Sequence, residues 1–142
     1  MDYAGEVSKL IAVMKGNKHP IFELAGLEKG VNGILRLLWI NELNNGEILS
    51  PGEISSIQDI STGRIATTLK SLELKNYIHR DIDSNDRRRI SVELTDIGRI
   101  KARSVFEEAQ VKAKKIFEKI GDEDAREFIR ILGNLANACE EE

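Results

Sequence analysis

The 142-residue sequence predicts a mainly α-helical fold with one small β-hairpin, a helix-turn-helix core carrying further helices at both ends of the chain. In the first and last thirds, apolar residues recur at i, i+3, i+4 and i+7, the spacing of amphipathic helices. Between them, residues 49–98 read as a short capped helix, a turn, a second helix and two alternating strands around a turn-forming cluster. Three consecutive arginines, Arg87, Arg88 and Arg89, follow that cluster.

Residues 3–14 place Val7, Leu10, Ile11 and Met14 on one face of a first helix, which residues 16–20 interrupt. Residues 20–27 form either a short helix or an irregular joint. A longer helix runs from about residue 28 to residue 43, with Val31, Ile34, Leu35, Leu38 and Trp39 mostly in the core. Trp39 could instead line a ligand pocket, although a core position fits it better. Asn44, Asn45 and Gly46 end this helix with turn chemistry, and residues 47–49 are short enough to be a small strand beside the hairpin. Ser50 and Glu53 have the spacing of a capping box, and Pro51 fills the first helical position, where a missing N–H costs nothing.

The capped helix carries Ile54 and Ile57 inward and breaks near residues 59–61. Ser61 or Thr62 caps the next helix, which reaches Leu74 or Lys75. Ile65, Leu69 and Leu72 form its apolar face, opposite Gly63, Arg64, Thr67, Lys70 and Ser71. Residues 77–82 alternate, Ile78 and Ile82 to one side, His79 and Asp81 to the other. Residues 83–86 are turn formers, and residues 88–94 alternate again through Ile90, Val92 and Leu94. Thr95 caps a helix reaching about Lys119, with Ile97, Ile100, Val105, Ile116 and Ile120 as apolar positions. Gly121 and Asp122 break it, and a last helix from about Glu123 carries Phe128, Ile131, Leu132, Leu135 and Ala138.

A helix-turn-helix followed by a hairpin tipped with arginines is a winged helix, an arrangement suited to a nucleic-acid duplex. The overall charge of −3 looks wrong for that role until it is divided. Residues 1–60 hold five Lys/Arg against eight Asp/Glu, residues 61–103 hold ten against six, and residues 104–142 hold six against ten. The basic charge is concentrated in the helix-and-hairpin segment, and phosphate contacts act over about a Debye length, so the local face outweighs the net charge. The second helix would lie in the major groove with its N-terminal half toward base edges. Arg64 is the candidate base contact, its fork matching guanine O6 and N7. Thr62, Thr67 and Thr68 are candidates for phosphates or a thymine methyl, and Lys70 for a phosphate. Ser61, Gly63 and Ser71 complete the candidate set, with Thr68 the weakest because it can turn toward the core. Each of these residues alone is equally well explained as a solvated helix face.

The run LSPGEISSIQDISTGRIATTLKSLELKNYIHRDIDSNDRRRISVELTDIG resembles the DNA-binding core of the MarR family of transcriptional regulators. The resemblance rests on the hydrophobic skeleton, Leu72–Glu73 closing the recognition helix, Arg80 opening the wing, Asp86-x-Arg88 at its tip, and Leu94–Thr95-x-x-Gly98 closing it. It covers about a third of the chain. One departure is Asn76–Tyr77, where the family usually has Gly followed by an aliphatic residue; Asn also tolerates a left-handed backbone. The resemblance implies that Arg88 reaches the minor groove and that Asp86 holds that arginine or the turn. Arg87 and Arg89 are candidates for phosphates, unless one turns back to an acid such as Asp83.

The terminal helices are too many and too apolar for one small lobe to cover, which predicts a homodimer sealed by helices from both ends; the resemblance implies the same. Residues 28–98 would form the winged-helix lobe, with residues 1–27 and 99–142 as the dimerisation region. The expected function is a sequence-specific, ligand-responsive repressor (less often an activator) binding double-stranded DNA at a near-palindromic operator. A small-molecule effector at the junction of dimer helices and DNA lobe would regulate it only by binding two lobe spacings with different affinity. The other class consistent with a winged helix is a protein-interaction module or adaptor without DNA binding, which would not need a basic face.

Nothing suggests an enzyme. There is no nucleophile–base–orienter set, and residues 15–18 lack the preceding glycine of a phosphate loop. One cysteine excludes a disulfide framework and a cysteine zinc cluster, and fits a reducing cytoplasm. Cys139, near a helix C-terminus beside Glu140, is expected to be inert. His19 and His79 are far apart with no paired spacing, so no metal or cofactor is expected. No run approaches eighteen apolar residues, so no membrane span is expected.

Overall fold

The structure, a computed structural model, describes residues 1–14, 19–24, 29–82, 85–86 and 89–141. Its elements are α1 (Tyr3–Val13), α2 (Ile21–Leu24), α3 (Val31–Leu43), α4 (Pro51–Gln58), α5 (Thr62–Leu74), β1 (Ile78–Ile82), β2 (Ile90–Leu94), α6 (Asp96–Ile120) and α7 (Asp122–Glu140). The predicted break at residue 16, the joint beyond Leu24, the helix start at residue 28, residues 83–84 of the hairpin turn, Arg87, Arg88 and the last residue of the acidic end lie outside the described residues. The described part of the third helix begins at Val31, because Gly30 takes φ 92°, a left-handed value outside the helix. No described helix is long and apolar enough to cross a membrane.

The chain divides into two compact units, Met1–Glu107 and Glu108–Glu142. The first unit holds a core of Ile34, Leu35 and Leu38 from α3, Ile54 from α4, Ile65, Leu69 and Leu72 from α5, Leu49, Ile78, Val92 and Leu94 from the sheet region, and Ala102 and Val105 from α6. Trp39 packs against this core half-buried, its indole N–H without a hydrogen-bond partner among the described residues, and Val31 is exposed rather than core.

Local chemistry sets the helix ends. Ser50 and Glu53 form the expected capping box, Glu53 N–H donating to Ser50 Oγ (3.2 Å) and Ser50 N–H to Glu53 Oε1 (3.3 Å). Asp59 then takes φ 52° and turns the chain into α5. The sequence expectation that Ile57 points inward is corrected: Ile57 is 53% exposed, whereas Gln58 is 6% exposed. In a helix of two turns, Ile54 and Gln58 lie one turn apart on the packed face, and Ile57 falls on its flank.

The hairpin is antiparallel, pairing Ile78 with Leu94, His79 with Glu93, Arg80 with Val92, Asp81 with Ser91 and Ile82 with Ile90. Alternation puts Ile78, Val92 and Leu94 in the core, but Ile82 and Ile90, the last pair of the ladder before the turn, are exposed. Instead of a third strand, residues 47–49 contribute one bridge, Leu49 with Val92, in which Val92 N–H donates to Leu49 O (2.9 Å).

Three elements meet at residues 76 and 77. Asn76 takes φ 62°, with its N–H donating to Glu73 O (2.9 Å) and Tyr77 N–H to Leu72 O (3.0 Å), the two bonds that close a helix through a left-handed residue. Thr95 then ties α6 to this turn: its N–H donates to Tyr77 O (3.0 Å), its hydroxyl donates to Asn76 O (2.6 Å), and it accepts from Gly98 N–H (2.9 Å). A Cβ at Gly98 would lie 1.8 Å from Tyr77 O, so only glycine permits this approach. Of the predicted apolar positions on α6, Val105 is buried, whereas Ile97 and Ile100 are exposed and Gly98 and Ala102 take the packed face.

In the second unit, the rings of Phe117 and Phe128 pack with centres 6.1 Å apart and planes tilted by 38°, and Ala125 is buried. Gly98→Ala should lower the unfolding free energy by about 1–3 kcal/mol, as overpacking does. Urea unfolding followed by circular dichroism measures this; an unchanged midpoint would show that α6 moves off Tyr77 at no cost.

Candidate nucleic-acid interface

Helix α5 is built to be buried along one stripe and open along the rest. Ser61, in the extended conformation, caps it by accepting from Arg64 N–H (3.3 Å), which settles the cap in favour of Ser61 over Thr62. Ile65, Leu69 and Leu72 hold the helix to the core. Thr62, Gly63, Arg64, Thr67 and Lys70 are exposed, while Thr68 and Ser71 are half-buried toward the flank. Among the described residues, the side chains of Arg64 and Lys70 make no hydrogen bond or ion pair, so both cations stand in solvent, Arg64 in the first turn of α5 and Lys70 in its second half.

The two threonines are not idle. Thr67 Oγ1 donates to Gly63 O (3.1 Å) and Thr68 Oγ1 to Arg64 O (2.9 Å), the back-bonding that hydroxyls make inside helices. Their protons are therefore spent on the helix, and what Thr67 offers outward is a methyl group and oxygen lone pairs. Sequence spacing could not reveal this, because the bond depends on the rotamer chosen.

Two further arginines are committed to holding the hairpin in place. Arg80 Nε donates to Glu73 Oε2 (2.8 Å) and its Nη2 approaches Oε1 (3.4 Å), a fork-to-fork pair joining β1 to the last turn of α5. The hydrogen bond from Arg80 holds the Glu73 carboxyl below the usual glutamate range, and Glu73 in turn raises the pKa of the Arg80 guanidinium. Arg89 Nη2 lies 2.6 Å from Glu53 Oε1 and donates to Ile48 O (2.8 Å), so it braces the hairpin against the start of α4. Glu53 thus both caps α4 and receives Arg89. Arg89 N–H also donates to Asp86 O (2.9 Å), the backbone bond of the turn. Arg87 and Arg88 lie outside the described residues.

A third arginine pair belongs to the scaffold. Arg99 of α6 bonds Glu42 of α3 at 2.9 Å and 3.3 Å and also reaches Asp96 (3.0 Å), which raises its pKa. On the outer face of the hairpin, His79, Asp81 and Glu93 converge, a grouping that strand alternation implied for the first two and cross-strand register supplied for the third. Cys139 is exposed on α7.

Residues 35–111 match the model of a family described as a winged helix DNA-binding domain. The chain is 28% identical over 110 residues to the HTH-type transcriptional repressor YetL of Bacillus subtilis, a match covering 78% of this chain and 64% of that protein. The chain thus spans less than two thirds of that relative's length, as it does for two further HTH-type transcriptional regulators of the same bacterium. Among solved structures, a MarR transcriptional regulator from Methanosarcina mazei Go1 is similar with a TM-score of 0.66 at 20% identity, over 96% of this chain and 98% of that one. Streptococcus pneumoniae FabT, solved in complex with DNA, is similar with a TM-score of 0.56 at 24% identity, over 99% of both chains. At these identities the likeness is one of fold. These relatives are described as transcriptional regulators.

The Glu73–Arg80 pair should add stability above the ordinary glutamate range and lose it as pH falls through the lowered Glu73 pKa. The stability difference between the native chain and Glu73→Gln should therefore be largest near neutral pH and vanish in acid. Denaturant midpoints across that range test this; a difference independent of pH would mean the pair contributes only by packing.

Proposed function

Because the chain belongs to the family of winged-helix DNA-binding domains and has the fold of MarR-type regulators, we propose that it is a sequence-specific transcriptional regulator. It acts as a homodimer on a near-palindromic operator, as a repressor whose hold on DNA responds to a ligand. The observation that carries this reading is the pair of unengaged cations, Arg64 and Lys70, on the exposed face of α5. Cations that serve the scaffold are paired, as Arg80, Arg89 and Arg99 are. A basic side chain kept unpaired on an exposed helix face is available for phosphate or a base edge, and its counterions are released on binding.

In this reading α5 enters the major groove, with Arg64 reading a guanine and Lys70 meeting a phosphate. Ser61, Thr62 and Gly63 bring the backbone of the helix start close to a phosphate. Thr67 offers its methyl to thymine, and Thr68 and Ser71 line the flank. Arg88 enters the minor groove and Arg87 meets phosphate. Arg89 serves by holding the hairpin to Glu53, with Asp86 supporting the turn. The lobe corresponds to residues 28–98, and residues 1–27 and 99–142 supply the dimer helices.

Support for the dimer is the unburied apolar surface at both ends of the chain. Val7, Leu10 and Ile11 of α1 are exposed, as are Phe128, Ile131, Leu132 and Leu135, which form one stripe along α7. Continuous apolar stripes of this kind mark an interaction surface. An effector acts on such a dimer only through differential affinity for its two spacings.

The deciding experiment selects survivors from a random duplex pool at near-physiological salt and sequences them. A two-fold symmetric motif with half-sites about 34 Å apart is expected; a pool that stays random while the protein is folded and dimeric would sink the reading. On the recovered operator, Arg64→Ala should narrow the gap to random DNA by about 1–3 kcal/mol. Lys70→Ala should instead weaken both alike and reduce the salt slope by about 1. If Arg64→Ala instead lowered operator and random-DNA affinity equally, Arg64 would be a phosphate contact. Leu132→Asp should turn a sedimenting dimer into a monomer of unchanged helicity, and a persistent dimer would remove α7 from the interface.

A further inference from the structure

We propose that His79, Asp81 and Glu93 form a binding site for a divalent transition-metal ion of the zinc class on the outer face of the hairpin. The site follows from strand geometry. His79 and Asp81 are two apart on β1 and so share a face, and Glu93 is the register partner of His79 on β2. Ile78, Val92 and Leu94 occupy the opposite face, in the core, so the three polar side chains are turned to solvent together.

Their ligand atoms already converge. His79 Nε2 lies 3.2 Å from Glu93 Oε2 and 3.4 Å from Asp81 Oδ2, and the three atoms all fall within 4.8 Å of one another. Bonds of about 2.1 Å to a tetrahedral zinc ion put its ligand atoms roughly 3.4 Å apart, so two separations fit and the third closes by side-chain rotation. The ion pairs described for Asp81 and Glu93 both run to His79. Two carboxylates and one imidazole match the charge of a divalent ion and leave coordination positions for water. An imidazole nitrogen favours zinc over magnesium or calcium, which prefer all-oxygen sets of six or more.

The site uses none of the residues assigned to DNA. Occupancy would pin β1 to β2 across the stem and cancel two negative charges on the hairpin, close in sequence to Arg87, Arg88 and Arg89. Ser91, which donates from Oγ to Asp81 O (3.2 Å), already ties the same two strands on this face.

Calorimetric titration of zinc chloride into the full chain, in a non-chelating buffer, should give one ion per chain. His79→Gln and Asp81→Asn should each weaken binding at least tenfold; both positions are exposed, so the fold is kept. Proton spectra of the native chain supply a second readout, in which zinc shifts the imidazole signals of His79 and leaves those of His19 in place. Magnesium at the same concentration should move neither. Absence of binding, affinity indifferent to His79→Gln, or signals that move at His19 alone would overturn the site. An equal response to magnesium would overturn its metal class.

Discussion

The peptide between Asn76 and Tyr77 is the point on which the lobe depends. On one side it closes α5, and on the other it starts β1. Its carbonyl, Asn76 O, receives the hydroxyl of Thr95 at the start of α6, and the next carbonyl, Tyr77 O, receives Thr95 N–H. Gly98 lets α6 approach so closely that a side chain carbon would overlap Tyr77 O. The direction in which the hairpin leaves α5 is thus set by backbone hydrogen bonds at one turn. The Glu73–Arg80 pair spans the same turn from outside. A recognition helix and a wing can engage one duplex only if their relative direction is fixed before contact, and this junction fixes it.

The charged side chains of the lobe divide by use. Arg80, Arg89 and Arg99 each meet a carboxylate on another element, and each of those pairs sits at an element junction. Exposed pairs add little to stability, so their contribution here is to geometry: they hold the hairpin against α5 and α4, and α6 against α3. Arg64 and Lys70 are spared such duty and are left where a polyanion would find them. The net charge of −3 is therefore compatible with a basic working face, because the basic residues of the lobe and the acidic residues of the flanks occupy different stretches of chain.

The apolar side chains divide in a similar way. One stripe each of α3, α4, α5, the hairpin and the first turns of α6 is buried against the others inside the first unit. Those of α1 and α7 stand largely exposed along continuous stripes. A lobe whose core closes within its own unit can keep its shape, while helices with uncovered stripes remain available for association.

Much of this was determined by the sequence itself, wherever the cause is local. The capping box at Ser50 and Glu53, the left-handed Asn76, the hairpin alternation and the apolar faces of α3 and α5 depend on residues within about a turn of one another, so spacing alone reveals them. Other features were decided only by the tertiary structure, because they join residues distant in the chain or depend on a rotamer. Gln58 displaces Ile57 from the core through the way α4 lies on its neighbours. Arg89 finds Glu53, 36 positions earlier. Glu93 joins His79 through strand register, and Thr67 turns its hydroxyl back onto Gly63. Periodicity records which way a residue faces along its own element; only packing settles what stands opposite.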